Sequence, residues 1–302
     1  MKILCFLLCL CLNNVLGEYC YYRRGENSSY LDCEYLDADE AIEGISLIHL
    51  EYNTTIPIVK NNLLSRFTNL KTLFLTAANI QKIDSDAFRN QSLEMIDLYH
   101  NKLETIENGT FRNQSELKYL DLSYNMFKNI TNTTFSGLIS LEWLSLNSNQ
   151  LKSIESSTFN ETPKLKALFL RFNLIETINA DTFKKLANLE TLDLCANFLT
   201  TIPIGLFSGQ AQLNTLMLQF NHLESLPNNT FDSNTELTWL DISNNRISVL
   251  PEELFIHTNN LEILRVNNNN ITEFNATVLL SHTPMLREFH FYNNAMEDEG
   301  SI

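Results

Sequence analysis

A single elongated solenoid is the fold class that the sequence predicts. Short parallel strands line its inner face, and irregular, 3-10 or short helical segments form its outer face. Three recurrences predict it. Leucine recurs at 70, 93, 117, 141, 165, 189, 213, 237, 261 and 286, at spacings of 23 to 25 residues. Nine residues into each unit from an opening leucine stands asparagine: 101, 125, 149, 173, 197, 221, 245, 269 and 294, with Ala78 the exception. At position nineteen stands phenylalanine: 88, 111, 135, 159, 183, 207, 231 and 255, with Leu279 in the ninth unit.

Each recurrence has a physical meaning. The units follow L-x-x-L-x-L-x-x-N-x-L, and Leu117 to Asn125 is one clear copy. Apolar positions four and six alternate with polar neighbours, the period of a strand with one face buried. One unit cannot bury its own apolar row, so units stack and share a continuous core. A buried Asn bonds backbone groups of its own turn and the next one. The Phe column reads as a packed spine inside the outer side. Pro203, Pro227 and Pro251 follow position fourteen, where a strand must not continue. A looser copy with Ile45, Ile48, Leu50 and Asn53 in phase extends the array to ten or eleven repeats over residues 45–296.

Composition agrees. Gly numbers only 8 of 302 residues and Asn 38, so the turns are built by carboxamides. The net charge of −15 argues against a nucleic-acid binder, which needs a basic surface to neutralise phosphates. Residues 1–17 read as a signal peptide: Lys2, then an apolar run from Ile3 to Leu12, then Val15-Leu16-Gly17. Cys5, Cys9 and Cys11 leave with it. Cys20 and Cys33, thirteen apart, read as a local disulfide in an N-terminal cap over 18–44. Residues 297–302 form an acidic tail.

The pattern resembles the extracellular "typical" 24-residue leucine-rich repeat family: Toll-like receptor ectodomains, secreted insect leucine-rich repeat immune proteins and the acid-labile subunit of growth-factor complexes. The resemblance implies a leucine-rich repeat α/β horseshoe and leaves the partner open. Two departures stand out. No C-terminal cysteine-rich cap follows the last copy, so Phe289, Phe291 and Met296 are expected to be covered by the short tail or by another chain, or the protein continues beyond Ile302. The N-terminal cap has two cysteines where relatives commonly have four.

Eleven N-x-S/T sequons occur, at Asn27, Asn53, Asn90, Asn108, Asn113, Asn129, Asn132, Asn160, Asn228, Asn270 and Asn275. None falls at strand positions two to eight. Either glycans shield the outer side and leave the inner sheet bare, or strands simply disfavour Asn.

Positions two, three, five, seven and eight are expected to face outward from the inner sheet. They hold six cations and nine acids, Lys166 and Arg171 among the former. They also hold ten aromatic residues. Tyr119, Trp143, Phe169 and Phe172 fall in three consecutive units, with Tyr124 nearby; Phe220 and Trp239 form a second group. Exposed Trp and Tyr beside Arg171 fit a protein-binding hot spot; cross-strand packing is the alternative. Cys195, at position seven, is expected at the surface, as an interchain bridge or a free thiol; the alternative is a small, partly buried residue with no role. Asp97, Asp121, Asp193 and Asp241 recur at position five but are spread over separate units, whereas calcium needs six to eight converging oxygens.

No nucleophile elbow, phosphate loop or H-E-x-x-H motif is present, so neither an enzyme nor a cofactor or metal site is expected. The expected function is that of a secreted, glycosylated protein that binds a protein partner on its inner face, in innate immunity or cell adhesion and signalling. The alternatives are a matrix or carrier component assembling end to end, and the ectodomain of a membrane receptor. Homo- or heterodimers through Cys195 or the uncapped last repeat belong to the same expectation.

Overall fold

The structure, a computed structural model, describes residues 21–24, 29–32, 47–50, 56–61, 64–65 and 67–296. Residues 1–17, Cys20, Cys33, Asn27, Asn53 and the tail 297–302 lie outside them. A small antiparallel hairpin pairs Tyr21–Arg24 with Ser29–Asp32.

Eleven strands then form one parallel sheet whose order is the chain order. They are β1 (Leu47–Leu50), β2 (Thr72–Leu75), β3 (Met95–Asp97), β4 (Tyr119–Asp121), β5 (Trp143–Ser145), β6 (Ala167–Phe169), β7 (Thr191–Asp193), β8 (Thr215–Met217), β9 (Trp239–Asp241), β10 (Ile263–Arg265) and β11 (Glu288–His290). Position four pairs with position four throughout, as in Leu120↔Leu144 and Leu192↔Leu216. The leucine column therefore lies in register and is buried along its length from Leu73 to Leu264. The outer side is mostly turns, with a 3-10 helix at Glu252–Phe255 and α1 at Ala276–His282. This is the horseshoe architecture that the repeat predicts.

The asparagine column does what its chemistry allows. Asn125 Nδ2 donates to the carbonyl of Leu122 in its own unit at 3.1 Å and to Leu98 in the unit before at 3.0 Å. Its Oδ1 accepts from the Leu103 amide at 3.0 Å. The same three bonds recur at Asn149, Asn173, Asn197, Asn221, Asn245 and Asn269. Each side chain thus satisfies one buried amide alone and shares two buried carbonyls with the Asn of the unit before and the unit after, as Asn125 and Asn149 share Leu122.

The Phe spine is present too. Phe88 and Phe111 stack at 5.9 Å, as do Phe135 and Phe159, and the stacking continues from Phe207 through Phe231 to Phe255. A second set of carboxamides, at position twenty-two in four units (Gln91, Gln114, Gln210 and Asn234), has no counterpart in the sequence reasoning. Gln114 Nε2 donates to the Phe88 and Gln91 carbonyls, and Asn234 Nδ2 to those of Phe207 and Gln210. In those units it closes the outer turn as the first column closes the inner ones. At the last unit Phe274 packs against Phe289 (5.6 Å) and Phe291 (4.5 Å), which keeps both half-buried; Met296 stays exposed.

Candidate functional site

The inner sheet face carries two rows of side chains. Position two forms the first: Lys71, Glu94, Lys118, Glu142, Lys166 and Glu190, of alternating sign on successive strands. Lys71 and Lys118 both reach Glu94, at 3.6 and 3.3 Å, and Lys166 reaches Glu142 at 2.8 Å. The bonds from Lys118 and Lys166 hold the Glu94 and Glu142 carboxyls below their ordinary range. These residues are exposed, and such pairs contribute little to stability. Their effect is local: Lys166 is committed to the ladder.

Positions three and five form the second row, down the middle of the face. Tyr119 and Trp143 are direct neighbours in register on β4 and β5, and their rings stack 4.1 Å apart at an interplanar angle of 9°. The Phe169 ring on β6 lies 5.2 Å from Trp143. All three are half-buried, so the ladder presents ring surface to solvent along three strands. Trp239 on β9 stands apart, with the Arg265 guanidinium 4.9 Å from its ring centre and Arg265 also 3.8 Å from Asp241.

The position-five carboxylates close turns. Asp97, Asp121, Asp193 and Asp241 each accept, through Oδ1, the amide of the residue two further on, at 2.8 to 3.0 Å. Ser123 and Ser243 add their hydroxyls to Asp121 and Asp241. Burial pushes the Asp121 and Asp193 carboxyls above the ordinary carboxylate range, and the neighbouring Asp97 charge adds to the effect at Asp121. Burial, then the charges of Asp121 and Asp97, likewise raise the Tyr119 phenol.

The pH consequence has a definite sign. A carboxyl whose pKa is raised on folding favours the folded state below its unfolded pKa, and that contribution is lost as pH rises through the folded value. At neutral pH the charged Asp121 therefore weakens the fold. Asp121→Asn keeps an Oδ1 acceptor and removes the charge. It is expected to raise the melting temperature at pH 7 and to lose that advantage on acidification through the raised pKa. A lower melting temperature than wild type at pH 7 would contradict this.

Position eight departs from the alternation that the sequence suggests. In ten successive units, from Ala77 to Asn293, φ at this position lies between 52° and 58°. Left-handed backbone is unfavourable for residues with a Cβ. Here the amide is held by the position-seven carbonyl of the next unit, as in Tyr124 to Asn147 (2.9 Å) and Phe172 to Cys195 (3.1 Å). The bend swings Tyr124, Phe172 and Phe220 off the sheet onto the flank beyond the strand ends, where they are 48%, 50% and 57% exposed. Phe172 does not join Tyr119, Trp143 and Phe169; it carries Arg171 over its ring at 4.6 Å. The sequence reasoning also missed Met126, Leu174 and Phe198, exposed at position ten of the same flank.

Cys195 is a correction. It is 4% exposed, so the expected surface thiol and interchain bridge do not fit this position. It stands between Arg171 and Gln219, at the same phase of the neighbouring units. Burial pushes the thiol up to about 11, which keeps it protonated and a poor nucleophile. A disulfide-exchange reagent is expected to leave native protein unlabelled and to label Cys195 after unfolding; rapid native labelling would contradict the burial.

The nine sequon asparagines among the described residues, from Asn90 to Asn275, are all exposed. Among the described residues no group of three or more His, Cys, Asp or Glu is placed to hold a metal ion, and no helix is long and apolar enough to cross a membrane.

The leucine rich repeat family model matches five overlapping segments of the chain, from 68–127 to 235–295. No curated protein is significantly similar in sequence. Solved structures are. The TLR13–ssRNA13 complex contains a chain 30% identical, with a TM-score of 0.73, over 79% of this chain and 34% of that one. The Toll–Spatzle complex, a hub in Drosophila development and innate immunity, matches at 30% identity and 0.72, over 80% and 32%. The octameric complex of Latrophilin 3, Unc5D and the FLRT2 leucine-rich repeat region matches at 26% and 0.67, over 84% and 85%. This chain thus spans about a third of the Toll-type chains and most of the last. With its eleven-stranded sheet and unbroken asparagine ladder, it belongs to the leucine-rich repeat family and has the architecture of that family's extracellular members.

Proposed function

We propose that this chain is a secreted, N-glycosylated leucine-rich repeat protein that binds a protein partner on its concave face, in immune recognition or in cell adhesion and signalling. The observation that carries the reading is the Tyr119–Trp143–Phe169 ladder. Three large rings, half-exposed on consecutive strands, are what an interface hot spot needs and more than a short solvated strand needs. Charge agrees: position two is self-neutralised, while Asp97, Asp121 and Asp193 keep the middle of the face acidic. That face would repel the phosphates of a nucleic acid. The Toll–Spatzle and FLRT2 complexes are protein assemblies of similar scaffolds, which supports a protein ligand.

Three further parts belong to the proposal. The exposed sequons fit glycan attachment outside the sheet. Cys20 and Cys33 directly flank the hairpin residues Tyr21 and Asp32, which pair with each other, and this supports a bridge. Residues 1–17 serve as the signal peptide, 18–44 as the cap, 45–296 as the solenoid and 297–302 as the tail. Partner capture from the extracellular medium tests the site. A protein retained by wild type and by a control at exposed Ile204, and released by Ala at Tyr119, Trp143 or Phe169, is expected. A partner retained equally by all three ladder variants would overturn the concave site.

A further inference from the structure

Positions eight to twelve form a flank where the chain leaves each strand, and its surface is unusual for so acidic a chain. Tyr124, Met126, Phe172, Leu174, Phe198 and Phe220 are all exposed there, on units 117 to 213. Contiguous exposed apolar surface marks an interaction site. From residue 93 to residue 236 no sequon falls at these positions; the nearest, Asn129, is at position thirteen on the outer border.

Charge divides the flank into two halves. The units opening at 93, 117 and 141 carry Lys102, Lys128 and Lys152 against Glu104 alone. The units opening at 165, 189 and 213 carry Glu176 and Glu224 and no cation. Shape divides it as well. The first half holds a groove of about 530 Å³ lined by His100, Lys102, Tyr124, Met126, Ser148 and Gln150, among others. The second half holds Phe198, 43% exposed and held upright edge-on against His222 at 5.6 Å.

We infer that this flank pairs with the same flank of a second copy of the chain, antiparallel, about a two-fold axis between units 141 and 165. Isologous pairing needs a surface complementary to itself, and the two halves supply that. The axis sets Phe198 of each copy over the groove at Tyr124 and Met126 of the other, and Glu176 opposite Lys152. Phe172 and Leu174 lie near the axis. The pairing leaves the concave ladder free and does not involve Cys195.

The glycosylated, secreted protein is examined by sedimentation velocity across concentration. A reversible dimer is expected, unchanged by reductant and by Trp143→Ala, so its loss and the loss of concave binding are separable. Phe198→Asn creates the sequon Asn-Leu-Thr at the phase where Asn270 already stands. Its glycan is expected to raise the dimer dissociation constant at least about 30-fold without lowering the melting temperature much. Lys152→Glu and Glu176→Lys are each expected to weaken the dimer about two- to five-fold, and the double variant to restore it. A wild-type monomer at all concentrations, or a dimer that survives the Phe198→Asn glycan, would overturn the inference. Charge reversal that fails to restore the dimer would overturn the antiparallel register.

Discussion

Asn173→Ala is expected to destabilise the protein by about 2–4 kcal/mol, comparable to truncating a buried leucine of the core. Asn173 is buried. Its Nδ2 donates to the Leu146 carbonyl at 2.9 Å and the Leu170 carbonyl at 3.0 Å, and its Oδ1 accepts from the Leu151 amide at 3.1 Å. Alanine leaves the Leu151 amide without a partner, at about 1–3 kcal/mol for an orphaned buried group, and takes one of two donors from each carbonyl, since Asn149 still reaches Leu146 and Asn197 still reaches Leu170, both at 3.0 Å. Asn173→Asp is expected to be no better, because a carboxylate has no proton to give the two carbonyls. The position in the array adds to the effect. Units hold only their neighbours, so a fault in the middle separates two halves. Urea denaturation checks both points: the midpoint should fall sharply, and the transition should broaden or divide. A loss below about 1 kcal/mol would mean that water or a shifted turn replaces the amide.

The sequence made this column legible because burial and bonding dictate one residue type at one phase. The Phe spine and the paired leucines were legible for the same reason. Other features depend on neighbours in three dimensions. Alternation places positions seven and eight on the sheet, but the left-handed bend at position eight carries Tyr124, Phe172 and Phe220 to the flank. Period alone does not contain that bend. Cys195 looked exposed because position seven is expected to face outward; its burial depends on neighbouring units, which the period does not contain. The recurring Asp at position five has several roles open to it in a sequence. Only its distance to the amide two residues on makes it a turn closure. Only Gln91, Gln114, Gln210 and Asn234 carry a carboxamide at position twenty-two, where other units have Leu, Thr or His, so no recurrence announced them. Of the concave site, the Tyr119, Trp143 and Phe169 ladder stood in the sequence as residues in consecutive units, whereas their stacking needed the register.

Trp143→Ala is expected to weaken partner binding at least about 30-fold, the effect of losing a hot spot worth about 2 kcal/mol or more. The residue is central in two senses. It stacks on Tyr119 at 4.1 Å and touches Phe169 at 5.2 Å, so its removal also frees both neighbours to move. The effect on folding is expected to be small by comparison, because the ring is only half-buried and the leucine row beneath it is untouched. Trp143→Phe should retain part of the affinity by keeping a ring on the stack.

The most direct test of the concave site is the dissociation constant of the captured partner for wild type and for Trp143→Ala, by titration calorimetry on proteins of matched melting temperature. A ratio of about 30 or more is predicted. Equal affinities would place the binding surface elsewhere on the solenoid.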